Sequence, residues 1–187
     1  MRALPIATSL LAGLTIATAA GCIVEAPTSE DLPARRRATV ERVPAAAVRN
    51  GAVFDDKLEL VGAEFTPGAL KAGDEVRVTV FYKVLAELDA DYEVFVHAED
   101  PAGVMKRFVN DHPPAGGGYP ASRWRKGETI RDTYSLRLPS GALPRAVDVW
   151  TGMWNPKTER RMRVGEAQGV RHDGENRVLL IQLPVSR

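Results

Sequence analysis

The 187-residue chain has one cysteine, Cys22, three histidines and only 6% aromatic residues, and its charges nearly cancel, with 25 Lys and Arg against 24 Asp and Glu. A single cysteine excludes an internal disulfide framework. Near-neutrality excludes a global field that would steer a polyanion, so no nucleic-acid partner is expected. The motifs that carry nucleophilic, metal or phosphate chemistry are also missing: there is no G-x-S-x-G elbow, no H-E-x-x-H, no phosphate loop and no dinucleotide-binding glycine pattern. No two histidines have the close spacing of a zinc site, and Asp89, Asp91 and Glu93 lack the glycine and terminal Glu of a calcium loop. The expectation is a protein without cofactor, metal or catalytic residues.

What is present begins at the N-terminus, MRALPIATSLLAGLTIATAAGC: a basic Arg2, an Ala- and Thr-rich apolar run over residues 4–20, and small residues leading into Cys22. This reads as a cleaved secretory signal and not as a stable membrane span. Ala19, Ala20, Gly21 and Cys22 resemble the lipobox of bacterial lipoproteins, which implies that Cys22 is acylated, for instance with palmitate, and becomes the first mature residue. Each buried CH₂ contributes ~0.8 kcal/mol, so two or three acyl chains hold such a protein on its bilayer almost permanently. Ile23 stands where enterobacterial sorting would place an inner-membrane Asp, which favours an outer-membrane address. Loss of Arg2 with the signal leaves 24 charges of each sign.

Residues 22–50 read as the lipidated Cys and a flexible tether, rich in Ala with Pro27, Pro33 and Pro44, and carrying the run Arg35, Arg36, Arg37. Residues 51–187 then change to period two, the signature of half-buried strands. Val76, Val78, Val80, Tyr82 and Val84 share one face; Ile130, Asp132, Tyr134, Leu136 and Leu138 share another; Val147, Val149, Thr151 and Met153 a third. Turn-forming Pro, Gly, Asn and Asp separate the segments. The fold class expected is all-β, an antiparallel immunoglobulin-like or carbohydrate-binding-module-like β-sandwich of seven to nine strands.

Over residues 55–185, the FVH of Phe95 to His97, the PPAGGGYP of residues 113–120, the W-x-x-GE starting at Trp124 and the turn after Trp154 resemble a β-sandwich module of the bacterial envelope. That module is found in soluble tails of some protein-mannosyltransferase-like glycosyltransferases and in envelope lipoproteins. The resemblance implies the fold, an envelope setting and a connection with glycans; it implies no catalytic residues.

Sugars lay their C–H faces on aromatic rings while carboxylates, amides and guanidinium groups address the hydroxyls. Period two places Asp148, Trp150, Gly152 and Trp154 on one strand face, with the two indoles about 13 Å apart at a rise of ~3.3 Å per residue. The segment DHPPAGGGYPASRW, residues 111–124, adds Asp111, His112, Tyr119 and Trp124, and Trp124 is flanked by Arg123 and Arg125. These nine side chains are the candidate ligand-binding residues. His97, inside an apolar run, is expected to be a hydrogen-bonded histidine in or near the core. The function expected is a membrane-anchored, non-catalytic β-sandwich that binds cell-surface or extracellular polysaccharide, or assists its assembly or export. The alternatives are a protein-interaction subunit of an envelope complex and, third, a hydrolase.

Overall fold

A strand with one buried face needs a partner layer, and the computed structural model supplies it by packing two antiparallel sheets face to face. It describes residues 31–66, 70–103, 105–141, 144–165 and 169–186; the signal and Cys22 lie outside the described residues. The four-stranded sheet runs in the order β1 (Val48–Phe54), β2 (Leu58–Thr66), β3 (Glu75–Val84), β6 (Thr129–Arg137). The second sheet runs β5 (Phe108–Val109), β4 (Glu93–Glu99), β7 (Ala146–Asn155), and β7 also pairs with β8 (Arg160–Arg161) and β9 (Val178–Pro184). The nine strands among the described residues and their antiparallel topology agree with the fold read from the sequence.

The period-two faces meet as expected. Val76, Val78, Val80 and Tyr82 of β3 and Ile130 and Leu136 of β6 pack in one core with Val94 and Val96 of β4, Val147, Val149 and Met153 of β7, and Val178 and Leu183 of β9. Turn chemistry fixes the register. Asp55 and Asp56 both adopt positive φ between Phe54 and Leu58, a conformation that Asp tolerates better than most residues. Gly62 on β2 lets the irregular start of β1 approach, since a Cβ there would sit 2.4 Å from the Val48 carbonyl oxygen.

The folded part begins before the boundary expected at residue 51. An α-helix, α1 (Asp31–Ala38), buries Ala38 in the core, and Thr39 bridges to Ile130 at the β6 edge of the four-stranded sheet. β1 lies at the opposite edge, so residues 40–47 cross the outer face of that sheet between the two. Phe81, which points outward on β3, is only 1% exposed, and Ala47 in the crossing segment is buried too. The stretch read as a tether from composition is therefore, from residue 31 on, a strap across the sandwich. Its scattered apolar residues, Ala34, Ala38 and Ala47, lack the periodicity that reveals a strand.

Candidate functional site

Two places gather the chemistry-bearing side chains. The first is the sandwich edge between β4 and β6, closed by the Pro- and Gly-rich segment. Residues 108–112 run beside β4: Val94 and His112 exchange backbone hydrogen bonds of 2.9 and 3.0 Å, and the Asp111 carboxylate accepts from the Val96 N–H at 3.2 Å. Beyond them the chain enters a tight turn in which Ala115, Gly116 and Gly117 all take positive φ, and the Ala115 N–H donates to Asp132 at 2.9 Å. Asp132 is fully buried on the core face of β6. Its other carboxylate oxygen lies 2.9 Å from His112 Nε2, while His112 Nδ1 lies 3.0 Å from the Asn110 carbonyl oxygen. Both neighbours are acceptors when Asp132 is ionised, so both ring nitrogens donate and the ring is an imidazolium. Burial opposes that charge, but the Asp132 carboxylate outweighs it and raises the His112 pKa. Tyr134 packs its ring 4.6 Å from the His112 ring. The pair thus latches one sheet to the other, and no nitrogen is left to act as a general base.

The second place is the outer face of the β4–β7–β9 sheet. Trp150 and Trp154 do project to this face, and each is half-buried. The gap between them is not open. Opposite Gly152, the Phe95 ring of β4 fills the space a side chain would occupy, with a Cβ there only 2.4 Å from Phe95 Cζ and 2.9 Å from the Asn176 backbone oxygen. The loop before β9 therefore lies over Gly152. Arg177 from that loop stacks its guanidinium 5.3 Å from the Trp150 ring centroid, and Arg161 stands 4.5 Å over Phe95. Arg177 is fixed by Glu99 and Asp173, and it donates to His97 Nδ1 at 3.2 Å. His97 must then accept, so it is neutral; burial first, and the surrounding guanidinium groups with it, lower its pKa. The expectation for His97 is met: it is 7% exposed and hydrogen-bonded. Burial alone would raise the Glu99 and Asp173 carboxyls, but Arg177 outweighs it and holds both below the usual range.

Several candidates change role. Asp148 is buried beside Trp150 and accepts from Gln182 Nε2 at 2.8 Å, so it is a tied strand carboxylate and not an open hydroxyl acceptor. Trp124 and Tyr119 are 1% and 2% exposed and belong to the core, which removes them as ligand contacts. Trp124 stacks near Tyr82 and donates from Nε1 to the Tyr119 carbonyl at 2.9 Å. The Tyr119 hydroxyl donates to the Arg123 carbonyl at 2.7 Å. Glu128 is the hub here: it pairs with Arg35 of α1 and accepts from Tyr119 and from the Arg125 N–H, each at 3.0 Å. Large aromatics reach the core more often than the surface, and nothing in their flanking charges signalled which applied. Arg123 is exposed and Arg125 half-buried, and both side chains have interactions of their own.

The basic cluster around Trp124 and the one at Lys157, Arg160, Arg161 and Arg163 lie at the same end of the sandwich, where β3 and β7 end and β4 and β6 begin. Acids are interleaved there: Arg163 pairs with Asp55 at 3.2 Å, Lys57 with Asp89 at 3.3 Å, and Asp91 holds Ser122. Asp132 and Arg177 are the residues that sequence reading did not select. A carboxylate at an inward period-two position was the visible signal for the first; Arg177 carried none. Among the described residues no group of three or more His, Cys, Asp or Glu side chains is arranged to hold a metal ion, and no helix is long and apolar enough to cross a membrane.

No family model and no curated protein matches the chain. Among solved structures it is similar to a Niemann-Pick type C2 protein from the Japanese carpenter ant, at 8% identity and a TM-score of 0.41, covering 71% of this chain and 97% of that one. It is also similar to the C-terminal domain of wzt, at 12% identity and a TM-score of 0.46, covering 74% and 83%. A third is AvmM, which catalyses macrocyclization in alchivemycin A biosynthesis, at 12% identity and a TM-score of 0.37, covering 80% and 96%. Likenesses this distant transfer neither ligand nor activity.

Proposed function

We propose that the protein is a lipid-anchored envelope β-sandwich that binds polysaccharide without catalysis, using the outer face of the β4–β7–β9 sheet. The observation that carries the reading is the pair of half-buried indoles, Trp150 and Trp154, on one strand face beside a guanidinium and two carboxylates held in fixed positions. Part of each indole stays exposed to meet a sugar face, and Arg177, Glu99 and Arg161 supply polar edges for hydroxyls or acidic groups. The commitment of both His112 nitrogens favours binding over turnover. The anchor rests on the resemblance of residues 19–22 to a lipobox, and the outer-membrane address on Ile23.

The test uses the mature-length Cys22→Ser protein in calorimetric titration against a panel of neutral and acidic cell-surface polysaccharides. Binding should weaken about tenfold on Trp150→Ala, the scale of one lost aromatic contact with its excluded water. The thermal midpoint serves as the folding control. Absence of binding across the panel, or binding indifferent to both Trp150→Ala and Trp154→Ala, rejects the glycan reading. Incorporation of labelled palmitate into the native protein and not into the Cys22→Ser form tests the anchor.

A further inference from the structure

α1 is the described element that lies closest in sequence to Cys22. Eight residues, 23–30, separate Cys22 from α1, and a chain of that length reaches at most about 30 Å. α1 and the turn before β6 border a cleft of about 420 Å³ lined by Arg35, Arg36, Lys83, Glu128 and Glu41, among others. Glu128 is consumed by Arg35, Tyr119 and the Arg125 N–H. Arg36, Arg37 and Lys126 are exposed, and none of their side chains makes an ion pair or hydrogen bond among the described residues. Arg131 on the adjoining strand donates to the Arg37 carbonyl, which brings a further cation to the same side.

Resting on the acylation of Cys22, we propose that this face is a membrane-docking surface for the anionic phospholipid headgroups of the bilayer that holds the anchor. Two observations select that occupant. The tether confines the face within reach of the headgroups, so the effective concentration of lipid is high and weak contacts suffice. Two exposed cations, Arg36 and Arg37, stand on the helix that the tether joins, Lys126 stands on the turn beside it, and Glu128 of that turn is already paired with Arg35. Each Lys or Arg at an anionic leaflet changes partitioning by about fivefold, and the effect is screened within a Debye length. Docking would hold the sandwich in one orientation on the bilayer instead of leaving it to swing.

The experiment is co-sedimentation of the mature-length Cys22→Ser protein with vesicles of pure phosphatidylcholine and with vesicles containing about one-third phosphatidylglycerol. Partitioning onto the anionic vesicles only, and its loss by more than tenfold in the Arg36→Glu, Lys126→Glu double variant with an unchanged thermal midpoint, is the expected result. Equal partitioning onto both vesicles, or a double variant that binds like the parent, overturns the proposal. So does displacement by inorganic phosphate beyond that produced by chloride of equal ionic strength, which would mark a small-anion pocket. Failure of palmitate labelling with vesicle binding intact would remove the anchor and leave the surface. Labelling with no vesicle preference would remove the surface and leave the anchor.

Discussion

The pKa values of His112 and His97 shift in opposite directions within one domain, and their surroundings decide which. His112 faces the Asp132 carboxylate and the Asn110 carbonyl, with Asp111 nearby and the Tyr134 ring against it, so its pKa rises. Burial lowers the His97 pKa, and the Arg107, Arg177 and Arg161 guanidinium groups add to it against the opposing Asp111 carboxylate. A raised folded-state pKa contributes stability that is present in full below the unfolded value of about 6.5 and lost as pH rises through the folded value. A lowered one contributes stability present above about 6.5 and lost as pH falls. Unfolding free energy, followed by urea titration from pH 5 to 9 (about the range of both groups), should therefore peak near neutrality. His112→Gln should flatten the alkaline limb and leave Asp132 buried without its counter-charge, a loss of about 3 kcal/mol; an unchanged alkaline limb would contradict the imidazolium assignment. Tyrosine hydroxyls give a second contrast. Tyr134 is buried with no hydrogen-bond partner for its hydroxyl among the described residues, whereas Tyr119 donates to Arg123 and Glu128. Tyr134→Phe should be neutral or stabilising and Tyr119→Phe should cost about 1 kcal/mol in the same titration, since only the second removes made bonds. Asp132 was legible in the sequence as a carboxylate on an apolar strand face. Its pairing with His112 was not, because three consecutive residues at positive φ set the path of the chain between them, and only two of those are glycines.

The strands were readable because burial on one face leaves a period of two, which β6 and most of β3 keep, whereas β7 buries Asp148 and Gly152 on its outer face as well. Loops carry no such period, so the loop that roofs the Trp150 face was invisible, and with it the fate of the space between the two indoles. Gly152 reports on that packing. It stands in a strand with ordinary backbone angles, and its conservation of space for Phe95 and the Asn176 carbonyl is steric. Gly152→Ala should push Phe95 and the covering loop outward and lower stability by about 1–3 kcal/mol, as overpacking does. If Phe95 and the loop move, quenching of Trp150 fluorescence by iodide should rise in parallel. A Gly152→Ala protein with parental stability and quenching would mean that the loop does not rest on β7 in solution. The same loop tunes the proposed binding face: a looser roof bares more of Trp150 while releasing the Arg177 guanidinium from its stacking position.

At the scale of the whole molecule, composition misplaced the boundary between tether and domain. Alanine, proline and arginine in residues 31–47 read as a solvated linker, yet those residues run over the sheet face from which the buried Phe81 projects, bury Ala38 and Ala47, and bring Arg35 to Glu128. A strap that crosses four strands needs little periodicity, since it contacts the sheet through one or two small side chains per turn. Its removal has consequences at both ends of the chain. A protein beginning at Gly51 loses α1, the crossing segment and the first residues of β1, which exposes Phe81 and leaves Glu128 without Arg35. Burial of one phenyl side chain is worth roughly 1.5–3 kcal/mol. At about 2–4 °C per kcal/mol for a chain of this size, the thermal midpoint should drop by roughly 3–12 °C. Binding of a hydrophobic dye to the newly bared sheet face should increase with it. A truncated protein that melts with the parent would show residues 31–50 to be a passive tether, and would also detach α1 from the sandwich it is proposed to orient. If the midpoint falls as expected, the strap and the core form one mechanical unit. For the acylated protein proposed above, the Trp150 face would then keep a fixed orientation relative to α1.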